Sequence, residues 1–270
     1  MTKKSISNSS AFPNSLIKHW EKSDGINFAI ALSRITGWIL QIDLLTPHEN
    51  APLDELIPLR AYVETNEDII YDFTGKRGII AFNRYVVMPI AVQRATNGKE
   101  HICTRCYEEI GLTEVKLRER PSEIEIERAT KAIIANSAFL EMIPKRLNPE
   151  IPAYHAVKFS QGNCIPFAEA LSSITGLSAF GLSVTKYRPE CGNPLGFCHV
   201  VLMHADGTVE DSWGRQDLEQ VLKRFYILEF ELEKEIYSYH RERQLREYPD
   251  RYQQAYDLAI KLLKDSVAIS

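Results

Sequence analysis

The sequence predicts an α+β fold built twice, each copy a helix packed on a small antiparallel sheet with further helices. Three observations predict it. The first is an internal repeat. Between Ile26 and Gly37, nine of twelve positions are identical to Ile165–Gly176 at an offset of 139, and the same offset pairs Pro13 with Pro152, Asp72 with Asp211 and Gly75 with Gly214. The second is helical spacing, because Phe167, Ala170, Leu171 and Ile174 make one apolar face that Gly176 ends. The third is a set of short apolar runs separated by turn signals, among them Ala205-Asp-Gly207.

The elements follow in chain order. Residues 1–12, beginning Met1-Thr-Lys-Lys, lack the apolar stretch of a signal peptide and read as a flexible tail. The first copy spans 13–148 and the second 149–270, joined near Asn148-Pro-Glu-Ile-Pro152. Two repeats of this length are a domain pair and not a solenoid. Strands are expected near Ile39–Leu45, Arg60–Thr65 and Asp68–Asp72, and again at Ala179–Thr185, Cys198–His204 and Thr208–Asp211. Glu123–Met142, Leu218–Phe230 and Arg251–Val267 have helix-forming composition. Further along, Leu117-Arg-Glu-Arg-Pro121 matches Leu245-Arg-Glu-Tyr-Pro249 at an offset of 128. The first copy therefore holds about 11 extra residues, the difference from 139.

Composition narrows the class. Of 270 residues, 44% are hydrophobic and 25% charged, which suits a soluble globular protein with a sizeable core. A formal net charge of −4 provides no pull toward nucleic acid or an anionic membrane, and no apolar run is long enough to span a bilayer. Five cysteines, an odd number, do not make a secreted disulfide framework. A cytoplasmic protein, or one exported without a cleavable signal peptide, is expected.

The chemistry is concentrated in the second copy. Gln161-Gly-Asn-Cys164 drops a thiol onto the first turn of the helix, where the macrodipole favours thiolate. His199 opens the apolar run His199-Val-Val-Leu-Met203, and Asp211 follows in Asp211-Ser-Trp213-Gly214. At the offset of 139, Cys164 faces Gly25 and His199 faces Arg60, while Asp211 faces Asp72. Core filling would retain apolar residues of similar size; glycine and arginine are not that. The first copy therefore reads as catalytically dead, a scaffold, docking surface or lid.

Cys164-Ile-Pro-Phe167-Ala, His199-Val-Val and Asp211-Ser-Trp213-Gly214 together resemble the papain-like cysteine peptidase and transglutaminase fold group. The resemblance covers roughly 155–215. It departs from papain itself, which has its oxyanion-hole glutamine further upstream than Gln161 and a tryptophan where Ile165 stands. The resemblance implies a nucleophile at Cys164, a general base at His199 and an orienting carboxylate at Asp211. Gln161 or Asn163 would join the Cys164 N–H in binding an oxyanion, or would only cap the helix. Trp213 would shield the triad. The implied activity is thiol-dependent acyl transfer on a protein or peptide amide, as a peptidase, a deamidase or a transglutaminase, with no cofactor and no metal. The alternative is an inactive pseudoenzyme that binds a partner, in an effector or immunity-type role. A third reading joins Cys103-Thr-Arg-Cys106 to Cys191 and Cys198 as a zinc site, although the second pair is too widely spaced for a zinc knuckle and a loop is the expected home of the first.

Overall fold

The computed structural model describes residues 12–48, 51–65, 68–96, 98–146, 151–189 and 191–267. The chain divides into two compact units, Met1–Lys145 and Arg146–Ser270. Residues 1–11 of the expected tail lie outside the described residues. Phe12 does not belong with them: it is buried, with its ring 5.3 Å from those of Trp20 and Phe28 and 5.1 Å from that of Phe139.

The first unit runs α1 (Asn14–Glu21), α2 (Ile26–Thr36), β1 (Ile39–Thr46), β2 (Ile57–Glu64), β3 (Ile69–Asp72) and β4 (Gly75–Gly78). It continues through α3 (Ile79–Phe82), a π-helical turn, α4 (Met88–Arg94), β5 (His101–Tyr107), α5 (Glu123–Ile134) and α6 (Ser137–Leu140). The second unit runs α7 (Ala153–Ser160), α8 (Cys164–Thr175), β6 (Ser178–Tyr187), β7 (Gly196–Met203), β8 (Val209–Asp211) and β9 (Gly214–Gln216). It ends with α9 (Leu218–Arg224), β10 (Ile227–Glu233), α10 (Lys234–Glu247) and α11 (Pro249–Val267).

Each unit carries one five-stranded antiparallel sheet, ordered β4-β3-β2-β1-β5 in the first and β10-β6-β7-β8-β9 in the second. Read from the opposite end, the second order is the first with every strand replaced by its repeat partner. The duplication seen in the sequence is therefore a duplication of topology.

The sheets are larger than the three strands expected in each copy. β10 (Ile227–Glu233) overlaps the end of the segment read as one helix from Leu218 to Phe230. Tyr226, at φ 58°, breaks the chain there, and Phe230 and Leu232 alternate with glutamates at strand period. β5 holds Cys103 and Cys106, so the CxxC sits on an edge strand and not in a loop. The helix expected over Glu123–Met142 breaks at Asn136, whose side chain caps α6 by accepting from the Phe139 N–H. The longer first copy is explained between β4 and β5, where α3, the π turn and α4 occupy the place of the single helix α9.

Both units have their central helix on the sheet, with Phe28 and Phe167 fully buried. α5 packs on α2 as α11 packs on α8. No helix among the described residues is long and apolar enough to cross a membrane.

Candidate active site

The Cys164 helix starts where the sequence places it, with Asn163 at the N-cap and Gly176, at φ 72°, at the other end. Asn163 makes no side-chain capping bond, and Gln161, the residue that ends α7, is exposed. Neither side chain therefore acts as a cap in this state.

Cys164 is 5% exposed. Burial pushes its thiol up to about 12, and the neighbouring Cys198 adds to the rise. The backbone N–H groups of Cys164, Ile165 and Val200 face the sulfur and oppose it. The thiol thus lies against β7 at the residue immediately after His199.

His199 and Asp211 come together as expected on neighbouring strands. Both are buried, and His199 Nε2 lies 3.0 Å from Asp211 Oδ2. A carboxylate partner assigns the proton to Nε2, which leaves Nδ1 as the ring's acceptor. Nδ1 is buried and has no hydrogen-bond partner among the described residues. The imidazole leans on the Phe225 ring, with centroids 4.7 Å apart. No hydrogen bond joins Cys164 to His199 in this resting arrangement. A β-bulge at Cys198, between the pairs Leu182↔His199 and Ser183↔Phe197, interrupts strand alternation.

Asp211 is the most heavily partnered group of the site. Its Oδ1 accepts from the Trp213 N–H at 2.8 Å and from Gln216 Nε2 at 3.0 Å, while Oδ2 accepts from Arg224 Nη1 at 2.7 Å as well as from His199. Burial alone would raise this carboxyl, but Arg224 and His199 together hold it well below the usual carboxylate range. Trp213 is buried, with the Arg146 and Arg224 guanidiniums 5.4 and 5.8 Å from its ring centroid. Arg224 and Gln216 were not anticipated. The signal for Arg224 was present, since it falls at helical spacing with Val221 and Phe225 on the inward stripe of α9.

No family model, curated protein or solved structure matches the chain.

The first unit shows what replaces this site. Gly25 occupies the start of α2 at φ 82°, and a Cβ built there would lie 2.8 Å from the Phe73 ring and 3.1 Å from the Ala61 carbonyl oxygen. Phe73 stands at the offset of Ser212, whose small hydroxyl instead bonds Ser160 Oγ and the Ala156 carbonyl. The phenyl ring thus fills the space that a cysteine side chain would need. Arg60 takes the place of His199, lying 3.9 Å from Asp72 Oδ2 and 4.3 Å from the Phe73 centroid. Its Nε and Nη1 are buried without hydrogen-bond partners among the described residues.

Among the described residues, no group of three or more His, Cys, Asp or Glu side chains is arranged to hold a metal. Cys103 and Cys106 are an odd number of residues apart on β5, which sends their side chains to opposite faces.

Proposed function

We propose that the second unit performs thiol-dependent acyl transfer on a protein or peptide amide, in a papain- or transglutaminase-like arrangement, through Cys164, His199 and Asp211. The observation that carries this reading is the half-satisfied imidazole. Asp211 anchors Nε2 and the other ring nitrogen is left buried and partnerless, on the strand residue just before Val200, whose N–H faces the thiol. A structural histidine buried this deeply normally satisfies both nitrogens.

In the reaction, Nδ1 accepts the thiol proton as Sγ attacks the carbonyl carbon. A C–S bond forms and the carbonyl electrons move to oxygen. Collapse expels the amine, which takes the proton from the imidazolium, and water or a second amine then cleaves the thioester. Backbone N–H groups at the start of α8 suit the developing oxyanion. Catalytic hydrogen bonds are commonly long before substrate binds, so the free chain is assigned a minor population with Nδ1 closed onto Sγ, which substrate enlarges. A reducing cytoplasm fits five cysteines that are all free.

One observation favours a second reading. A thiol that is 5% exposed and pushed up to about 12 suits an inactive, papain-like binding module. The two are separated by incubating the chain with glutamine-containing peptides and following ammonia release, peptide cleavage and amine incorporation. Acyl transfer predicts one of these products, lost in Cys164→Ser and in His199→Ala. A binding module yields none.

A further inference from the structure

A pocket of about 430 Å3 opens beside the start of α8, lined among others by Asn163, Phe197, Arg243, Glu247, Tyr248 and Arg251. The first unit has a pocket of about 780 Å3 in the corresponding place. Asp24, Pro58 and Lys116 line it, and at offsets of 139 and 128 their counterparts are Asn163, Phe197 and Gln244, all of which line the pocket of the second unit. The duplication has kept the pocket even where it lost the thiol.

The two pockets differ in how their cations are satisfied. In the first unit the chain supplies its own carboxylate: Asp24, 6% exposed, accepts from Arg94 at 2.6 and 3.1 Å, with Arg118 3.7 Å away. In the second unit the counterpart is the uncharged Asn163. Arg243 is bound to Glu247 at 3.1 Å, whereas Arg251 forms no ion pair among the described residues. Its Nη2 reaches over the loop before Cys164, 3.6 Å from where a Cβ on Gly162 would stand. The walls are fixed in advance. Glu169 of α8 receives both Nε and Nη2 of Arg241 at 2.6 Å and the Tyr252 hydroxyl, which holds α10 and α11, and with them Arg243 and Arg251, against α8.

We infer that this pocket binds an acidic side chain of a peptide substrate, with Arg251 as its principal partner, and so presents a neighbouring amide to Cys164. The inference rests on the acyl-transfer reading for its direction toward Cys164, but the carboxylate pocket itself does not depend on a live thiol. Asp24 of the first unit is the intramolecular counterpart of the carboxylate that the second unit takes from its ligand.

The test uses the full chain carrying Cys164→Ser, so that nothing turns over. Fluorescence anisotropy follows a labelled peptide with a central glutamine flanked by glutamates and an amidated C-terminus, against the same peptide with lysines. The glutamate peptide is expected to bind at least about ten-fold more tightly. Arg251→Glu should remove that preference, and Arg251→Lys should retain most of it. Asn163→Asp, which copies the internal carboxylate of the first unit, should weaken the glutamate peptide by about ten-fold. Circular dichroism confirms that the variants fold, which the exposed position of Arg251 favours. Equal affinity for the two peptides, no binding of either at millimolar concentration, or a preference that survives Arg251→Glu would overturn the inference. A glutamate preference in a chain whose wild type never turns over an amide would refute acyl transfer alone and leave the pocket standing.

Discussion

Arg224 Nη1 lies 2.7 Å from Asp211 Oδ2, the same oxygen that pairs with His199 Nε2. The carboxylate therefore serves two cationic or potentially cationic partners at one oxygen, while Trp213 and Gln216 occupy the other. Such sharing fixes the His199 ring firmly.

Removing Arg224 tests this directly. Arg224→Met leaves a buried carboxylate short of its strongest cation and should cost about 3–5 kcal/mol of stability. The lost stability belongs to the ionised carboxylate: it is present above the ordinary aspartate range and disappears as the pH falls through the depressed folded value. Thermal melting at pH 7 checks the loss. An unchanged midpoint would mean that the ion pair contributes nothing net.

Gly25 and Phe73 predict that the first unit cannot be revived by one substitution. Gly25→Cys forces a side chain onto a positive φ and into the Phe73 ring. It should destabilise by about 2–4 kcal/mol, with strain and overpacking both contributing. Phe73→Ser, which copies Ser212, is itself costly because the ring is fully buried, but it removes the overlap, so the double variant should lose less than the sum of the two single losses. Denaturant midpoints of the single and double variants measure the coupling, and strict additivity would contradict the steric account.

Glu64 in the first unit provides a pH prediction. Burial, then Asp68 and Asp43, push its carboxyl up to about 8. Because the folded value exceeds the ordinary glutamate value near ~4.3, the protonated group is compatible with folding at low pH. Stability is then lost as the pH rises through about 8. Glu64→Gln should therefore leave the melting midpoint nearly unchanged at pH 4 and stabilise the protein by about 2 kcal/mol at pH 9. Equal effects at the two pH values would show that Glu64 does not titrate in this range.

The parts of the fold that were legible in the sequence are those with repeated local signals. The α2 and α8 segments share an apolar face and a closing glycine, and β7 and β8 flank a recognisable Asp-Gly turn. Edge strands were harder to read. β10 follows α9 so closely that Val221, Leu222, Phe225 and Phe230 mimic one helical stripe, and only the positive φ of Tyr226 separates the two elements. The His199–Asp211 pair could be anticipated from residue type and order. Burial of the Cys164 thiol and the grip of Arg224 on Asp211 could not, because both depend on tertiary packing. The incompatibility of Gly25 with a cysteine was half-visible, in the glycine itself, but its cause lies in a ring 48 residues away.

The central claim is that Cys164 and His199 act as a pair, and the rate of Cys164 alkylation by iodoacetamide against pH tests it most directly. Peptide mass spectrometry would follow the wild type, His199→Ala and Asp211→Ala. Pairing predicts that at pH 7 the wild type labels at least about ten-fold faster than His199→Ala, with Asp211→Ala between the two. Indistinguishable rates, climbing only toward the value near 12 that burial imposes on the thiol, would contradict the account and leave Cys164 an inert core residue.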